Sequence, residues 1–272
     1  MIIATHVPQP PLDQFVEFLW FHEGYNADHQ LERVLPDGSM ELIINLQEGD
    51  RHVFDRTTHS PQRTYRRSWL SGPHSDFIII DTVPDASMIG AHFRPGGASA
   101  FFNFPLDAMS NSVVDLDAIW NGGAPALRDR LLEAAGPSAK FRVFEEALLA
   151  RWRSKADHHR AVVFALRYFS RDPEHATIGK VMNQIGLSRR RFIELFRQQV
   201  GMTPKMFCRV RRFQRALDQI QRSRDVQWAD LAAQCGYYDQ AHFINNFREF
   251  CGITPRDYLA ARAEFPNFVP IR

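Results

Sequence analysis

The hydrophobic pattern of the chain changes character near its middle. In the first part, short apolar runs, some of them alternating with polar residues, stand between turn residues, as in residues 40–47, 75–83 and 87–97. Runs of this length that are rich in β-branched residues are typical of strands. From about residue 115, and throughout after residue 158, apolar residues recur at spacings of three and four, which predicts amphipathic helices.

The pattern therefore predicts an α+β protein with two domains. The first is a mostly β N-terminal domain with flanking helices, over residues 1–155. The second is an all-α domain over residues 156–265, and residues 266–272 form a tail. With a hydrophobic fraction of 44%, the chain can bury a core and is not expected to be globally disordered.

The helical part contains the same pattern twice. Five residues of the first copy recur 51 residues later; they are Phe192, Phe196, Gly201, Thr203 and Pro204, which become Phe243, Phe247, Gly252, Thr254 and Pro255. Each copy predicts a short helix, a glycine-bearing turn and a second helix, which is the helix-turn-helix arrangement. A joining helix of about 20 residues, roughly 30 Å long, comes close to the roughly 34 Å between successive major-groove faces of DNA.

The charge of the chain is divided between its two parts. Residues 1–150 hold 11 basic and 20 acidic residues, a net charge of −9, whereas residues 151–272 hold 22 and 11, a net charge of +11. A basic, helical half is a candidate for binding a polyanion such as nucleic acid. No apolar run is long enough to span a bilayer, the N-terminus does not resemble a signal peptide, and the odd count of three cysteines favours a reduced, cytoplasmic protein.

The doubled motif resembles the DNA-binding domain of the AraC/XylS family of bacterial transcription regulators. The resemblance covers residues 157–263 and is carried by "GLSRRRFIELFRQQVGMTPKMFCRVRRFQRAL" and "WADLAAQCGYYDQAHFINNFREFCGITPRDY". The segments "LPDGSMELIINL" and "HFRPGGASAFFNFPLDAMSNSVVDL" resemble a regulatory domain of uncharacterised role that precedes this DNA-binding domain in one subgroup. The resemblance implies a barrel-like form for the mostly β N-terminal domain. It also implies binding to double-stranded DNA and either recruitment of RNA polymerase, as in an activator, or its blockage.

Helical spacing predicts which side chains of the first recognition helix face DNA. With Phe192 and Phe196 inward, the opposite face carries Arg190, Ile193, Glu194 and Arg197. Arg190 suits a guanine edge and Ile193 a thymine methyl. Glu194 either accepts from a cytosine or pairs with Arg190, and the ion pair is favoured because a carboxylate is less expected in a groove lined by phosphates. Glu194 also departs from the basic or amide residues frequent at this position of the family. Arg189 and Arg191 flank the face and are expected near phosphates.

The second recognition helix is predicted to present a less basic face. Its members are Gln240, Ala241, Ile244, Asn245 and Arg248. Gln240 and Asn245 suit adenine, whereas the two apolar residues offer only non-polar contact, which leaves open a larger role for DNA shape. Further phosphate contacts are predicted at Lys180, Lys205, Arg211 and Arg212.

The N-terminal half offers only a weak indication of a ligand site. Asp37, His92 and Arg94 are the candidates: Arg94 holds the carboxylate of a small effector or bonds the turn at Asp37, and the structural role is favoured. The sequence has no His-x-His pair, nucleophile elbow, phosphate loop or Cys-x-x-Cys, so no catalytic residue, metal or cofactor is predicted. Homodimerisation is the competing role of this domain. A β-domain enzyme that is merely tethered by the helices is the alternative function.

Overall fold

The computed structural model describes residues 1–153, 158–174, 176–223, 226–261, 263 and 265–272. The predicted domain boundary at residues 155 and 156 lies outside these residues. Within them, the change from strands to helices falls where the hydrophobic pattern places it.

The N-terminal domain consists of two antiparallel sheets. The first has the order β1-β2-β9-β4-β7-β10 and the second the order β11-β3-β8-β5-β6. The strands of the first sheet are β1 (Ile2–His6), β2 (Val16–Tyr25), β4 (Glu41–Asn45), β7 (Ser68–Ser71), β9 (Ala86–Phe93) and β10 (Val113–Asp115). Those of the second are β3 (Leu31–Val34), β5 (Arg51–Phe54), β6 (Pro61–Tyr65), β8 (Ile78–Asp81) and β11 (Phe268–Ile271). The predicted, mostly β domain is confirmed.

Helices cover one face of the first sheet. They are α1 (Asp117–Trp120), α2 (Gly123–Glu133) and α3 (Gly136–Arg151). Leu127, Phe141 and Phe144 from these helices share one buried cluster with Leu19 and Leu42 of the sheet. Burial of these side chains is the main contribution to the stability of the domain, at about 1.5–3 kcal/mol for each large apolar residue.

The C-terminal strand was not expected, because residues 266–272 were predicted to form a tail. Instead β11 pairs with β3 at the edge of the second sheet, with Val269 opposite Arg33. Val269 is fully buried. Pro270 is tolerated because an edge strand leaves one row of backbone N–H positions without a partner strand.

The C-terminal domain is helical and has two hydrophobic clusters. Its helices are α4 (Arg160–Arg171), α5 (Ile178–Ile185), α6 (Arg189–Val200), α7 (Pro204–Arg222), α8 (Trp228–Gln234), α9 (Gln240–Cys251) and α10 (Pro255–Ala261). The N-terminal end of α7 packs with α4–α6 through Phe207, and its remainder packs with α8–α10 through Phe213 and Leu217. A single helix thus joins two helix-turn-helix units, as predicted. No helix among the described residues is both long and apolar enough to cross a membrane.

Candidate DNA interface

The first helix-turn-helix unit is formed by α5, the turn at Gly186 and α6. The Thr177 side chain accepts a hydrogen bond from the Lys180 amide at 3.3 Å and starts α5. Gly186 ends it with φ of +63°, a left-handed conformation that favours glycine. Ser188 then starts α6 by accepting from the Arg191 amide at 3.3 Å. The turn residues thus fix the direction in which α6 leaves the unit.

One face of α6 is exposed and matches the predicted DNA-reading face. Phe192 and Phe196 are fully buried, whereas the residues predicted to touch DNA lie outward: Arg189, Arg190, Glu194 and Arg197 are exposed and Ile193 is half-buried. The placement agrees with the helical spacing, and the contacts with bases remain predictions.

The prediction that Glu194 pairs with Arg190 is wrong, because Glu194 pairs with a different arginine. Glu194 Oε2 instead accepts from Arg191 Nη1 at 3.0 Å. Residues three and four apart are both neighbours on a helix surface, so the spacing alone did not distinguish the two arginines. The observed pair leaves Arg190 outside this contact and engages a residue that was predicted to hold a phosphate.

Arg197 lies at the boundary between the two domains. Its Nη2 atom is 3.3 Å from Asp107 Oδ2, in the short helical turn Leu106–Met109 of the N-terminal domain. Beside this pair, the Ser110 hydroxyl donates to the Gly201 carbonyl at the end of α6. The first recognition helix is therefore in direct contact with the N-terminal domain, which sequence reasoning did not anticipate.

The second unit repeats the arrangement with α8, the turn at Gly236 and α9. Asp239 starts α9 by accepting from the His242 amide at 2.7 Å. The outward face carries the predicted residues: Gln240, Ala241, Asn245 and Arg248 are exposed and Ile244 is half-buried. Asn246 faces inward and accepts from the Tyr237 hydroxyl at 3.2 Å.

The predicted phosphate contacts fall into two groups. Lys180, Arg191 and Lys205 are exposed on the surface of the first unit and the start of α7. Arg211 and Arg212 are only half-buried, and the Arg212 guanidinium lies 5.5 Å from the centre of the Tyr237 ring. The contact of Arg212 is a cation–π contact that engages the guanidinium itself. The phosphate contacts of both arginines stay predictions.

The candidate ligand residues of the N-terminal domain do not form the contact that was favoured. Arg94 is exposed, and its Nε atom donates to the Asp13 carbonyl at 2.9 Å rather than to the Asp37 turn. Strand β9 ends just before Arg94 and places it beside the segment that precedes β2, because the Arg94 amide bonds the Phe15 carbonyl. The structural role favoured for Arg94 therefore involves a different partner.

His92 lies between two carboxylates. Its Nε2 atom is 3.3 Å from Asp37 Oδ2 and its Nδ1 atom is 3.1 Å from Glu41 Oε1, and its ring stacks on Phe18. Burial lowers the pKa of His92, but the charges of Asp37 and Glu41 outweigh it and raise the pKa to about 9. His92 and Asp37 are thus bound to each other. Within the described ranges, no group of three or more metal-ligating side chains is arranged to hold an ion.

The three cysteines are buried thiols at neutral pH. Burial raises the pKa of Cys208 to about 12, that of Cys235 to about 11 and that of Cys251 to about 12. A reactive cysteine requires an accessible thiolate, and burial disfavours the thiolate at these three positions.

Two helix-turn-helix units with outward-facing second helices, joined by one long helix behind a β-rich domain, define a two-domain protein of the helix-turn-helix class. Family comparisons agree with this class. A model described as "Helix-turn-helix domain" matches residues 181–261, and one described as a domain of unknown function, DUF6597, matches residues 4–115. The chain thus carries an AraC-type helix-turn-helix domain after this N-terminal domain, which confirms the resemblance seen in the sequence.

Curated relatives match over short stretches of the chain. An uncharacterized HTH-type transcriptional regulator of Haemophilus influenzae is 33% identical over 72 residues, which are 26% of this chain and 24% of the relative. The HTH-type transcriptional activator RhaS of Escherichia coli is 32% identical over 85 residues, 31% of this chain and 30% of the relative. The matches therefore span about a quarter to a third of the length of these relatives.

Solved structures match over different lengths. ToxT from Vibrio cholerae covers 95% of this chain and 98% of its own, with 10% identity and a TM-score of 0.48. The DNA-binding domain of AdpA, solved with a target DNA, covers 38% of this chain and 93% of its own, with 22% identity and a TM-score of 0.35.

Proposed function

We propose that this chain is a sequence-specific DNA-binding transcription regulator that reads two adjacent major-groove segments. One observation carries the proposal: α6 and α9 occupy equivalent positions in two helix-turn-helix units and both present an outward polar face, while α7 joins them. The 19 residues of α7 extend about 28 Å at 1.5 Å per residue. This length is compatible with recognition helices in successive grooves on one side of DNA.

The first unit is proposed to contribute most of the affinity. Arg190 reads a guanine and Ile193 contacts a thymine methyl, while Arg197 extends the contact along the groove and Arg189 holds a phosphate beside it. Glu194 bonds Arg191 at 3.0 Å, so its role is to orient that arginine toward a phosphate. Lys180 at the start of α5 and Lys205 at the start of α7 add phosphate contacts.

The second unit is proposed to add specificity through amides. Gln240 and Asn245 bond adenine edges, and Arg248 completes the polar face. Ala241 and Ile244 provide apolar contacts. Arg211 and Arg212 on the joining helix contribute charge toward the backbone between the two segments.

The N-terminal domain is proposed to regulate rather than to catalyse. Its direct contact with α6 through Asp107 and Ser110 supports this role, since a ligand or a second subunit bound by the domain would act on the recognition helix. Asp37, His92 and Arg94 are retained as candidates for a small effector. The protein would act in the cytoplasm together with RNA polymerase, and dimerisation through α2 and α3 is a compatible second role.

The test is selection of bound fragments from random DNA by the full-length protein at about physiological salt. A double variant, Arg190→Ala with Asn245→Ala, is selected in parallel. We expect the wild type to enrich two blocks about 10 base pairs apart, and the variant to lose block preference more than total binding. A Val7→Ala variant serves as the control for protein preparation, because Val7 is exposed in the other domain and lies outside every surface proposed here to bind DNA, an effector or a second subunit.

A selection that enriches no motif would contradict the proposal. If no motif emerges and binding disappears steeply with salt, then phosphate contact is the whole interaction and the sequence-specific reading fails. Stoichiometric zinc, iron or manganese in the purified protein would instead favour the alternative of a β-domain enzyme.

A further inference from the structure

The turn before α9 is one residue longer than the turn before α6. In the first unit, Gly186 is followed by Leu187 and the cap residue Ser188; in the second, Gly236 is followed by two tyrosines before the cap residue Asp239. Leu187 and Tyr237 both pack inward. Tyr238 is therefore the additional residue.

Tyr238 is the most exposed large apolar side chain among the described residues, at 92%. Its neighbour Tyr237 supplies the packing of the turn, with its ring 5.2 Å from that of Phe243. The backbone of Tyr238 is nevertheless fixed, because its amide donates to His242 Nδ1 at 3.4 Å and Asp239 caps the adjacent helix. A rigid turn thus holds an aromatic ring that no part of the described chain covers.

The position of Tyr238 indicates what covers it. N-terminal residues of a recognition helix meet base edges, and the residue just before them lies beside the sugar-phosphate backbone. The first unit has three arginines at this end of its helix, residues 189–191, whereas residues 240–242 of the second are Gln, Ala and His. The second unit therefore has fewer cationic groups with which to grip the backbone at the same place.

We propose that Tyr238 is a DNA contact of the second unit, with its hydroxyl donating to a phosphate oxygen and its ring packing on the adjacent deoxyribose. The assignment rests on the proposed DNA-binding function. A tyrosine suits this role because its ring buries apolar area at little entropic cost while its hydroxyl stays hydrogen-bonded. Such a contact adds affinity without sequence preference.

The test compares Tyr238→Ala and Tyr238→Phe with the wild type in the full-length protein. Affinity is measured for the selected motif and for an unrelated duplex, at several salt concentrations. We expect Tyr238→Ala to weaken binding about 5- to 10-fold on both duplexes, as for the loss of roughly 1–1.5 kcal/mol, and Tyr238→Phe to lie between it and the wild type. Phosphate-ethylation interference should lose its signal at one position in the second block only.

Two controls separate this contact from charge and from folding. Arg191→Ala should reduce the slope of affinity against salt, whereas Tyr238→Ala should leave the slope unchanged because tyrosine releases no counterion. The thermal unfolding midpoint of Tyr238→Ala should equal that of the wild type, since the side chain is uncovered.

The outcomes distinguish this proposal from the function on which it rests. Unchanged affinity and an unchanged interference pattern in Tyr238→Ala would overturn the contact and leave the regulator intact. Unchanged DNA binding with reduced transcription in vitro would also overturn it and assign Tyr238 to a protein partner. If the wild type selects no motif, sequence reading fails, and the affinity for the unrelated duplex still decides whether Tyr238 touches the backbone.

Discussion

The pair between Asp107 and Arg197 predicts that the N-terminal domain competes with DNA for the first recognition helix. Arg197 belongs to the outward face of α6, yet its guanidinium already contacts a carboxylate of the other domain at 3.3 Å. If Arg197 binds DNA, it must leave Asp107 and lose that contact. Replacing Asp107 with Asn should therefore increase the affinity for DNA.

The size of the effect follows from the exposure of the pair. The Arg197 side chain is 52% exposed and the Asp107 side chain 24%, so the pair belongs to the surface class, for which about 0.2–1 kcal/mol is typical. Asp107→Asn should then tighten binding by at most about fivefold. Arg197→Ala should weaken binding by about 1–3 kcal/mol, as for the loss of a groove contact.

The assay is a double-mutant cycle of Asp107→Asn and Arg197→Ala, with affinity measured by fluorescence anisotropy at about 150 mM salt. In the Arg197→Ala background, Asp107→Asn should increase the DNA affinity much less than in the wild type. The gain in affinity that remains measures the general repulsion between Asp107 and phosphates. Asp85→Asn, in the turn between β8 and β9, is the matched control, because Asp85 is exposed and carries the same charge. Equal gains in DNA affinity in Asp107→Asn and Asp85→Asn, or weaker DNA binding in Asp107→Asn, would refute the competition.

Three further predictions concern stability. Because the pKa of His92 is raised to about 9, the contribution of His92 to the free energy of unfolding is complete below about pH 6.5 and is lost as the pH rises to 9. Urea unfolding should therefore show that the free energy of unfolding falls by up to about 3 kcal/mol over this range, and His92→Gln should abolish this pH dependence. Val269→Asp should lower the unfolding midpoint far more than Ile271→Asp, because only Val269 is fully buried; similar midpoints would contradict the packing of β11. Ser188→Ala should cost about 1 kcal/mol in denaturant unfolding, and no loss would mean that the cap does not support α6.

Local signals explain why the helical domain was predictable. Caps such as Thr203 and terminators such as Gly186 act within a few residues of their own position, so their effect is visible in the sequence. The doubled pattern added a second, independent copy of each signal. Predictions failed where two candidate partners both lay within reach on one helix surface, as with Glu194, or where the partner came from a distant part of the chain, as with Arg94.

Contacts between the domains were beyond sequence reasoning because they join residues with no shared periodicity. Gln214 on α7 donates to the Pro36 carbonyl at 2.8 Å and to Asn267 Oδ1 at 2.9 Å. Leu35 packs inside the core of the second unit. Nothing in the composition of the turn at Asp37 indicated that this segment would pack against the joining helix.

Gly201 and Gly252 each have two roles, because each ends a recognition helix and also lies against the N-terminal domain. Gly201 and Gly252 end α6 and α9 with φ of +88° and +77°, which the sequence repeat already suggested. A Cβ atom at Gly201 would stand 2.4 Å from Pro73, and one at Gly252 would stand 2.8 Å from Phe77. Two residues only four apart in the N-terminal domain thus abut the ends of both recognition helices. Since larger side chains would prevent this approach, the same glycines that end the helices also let a single segment of the β domain contact both units. A displacement of that segment would therefore reach both recognition helices together.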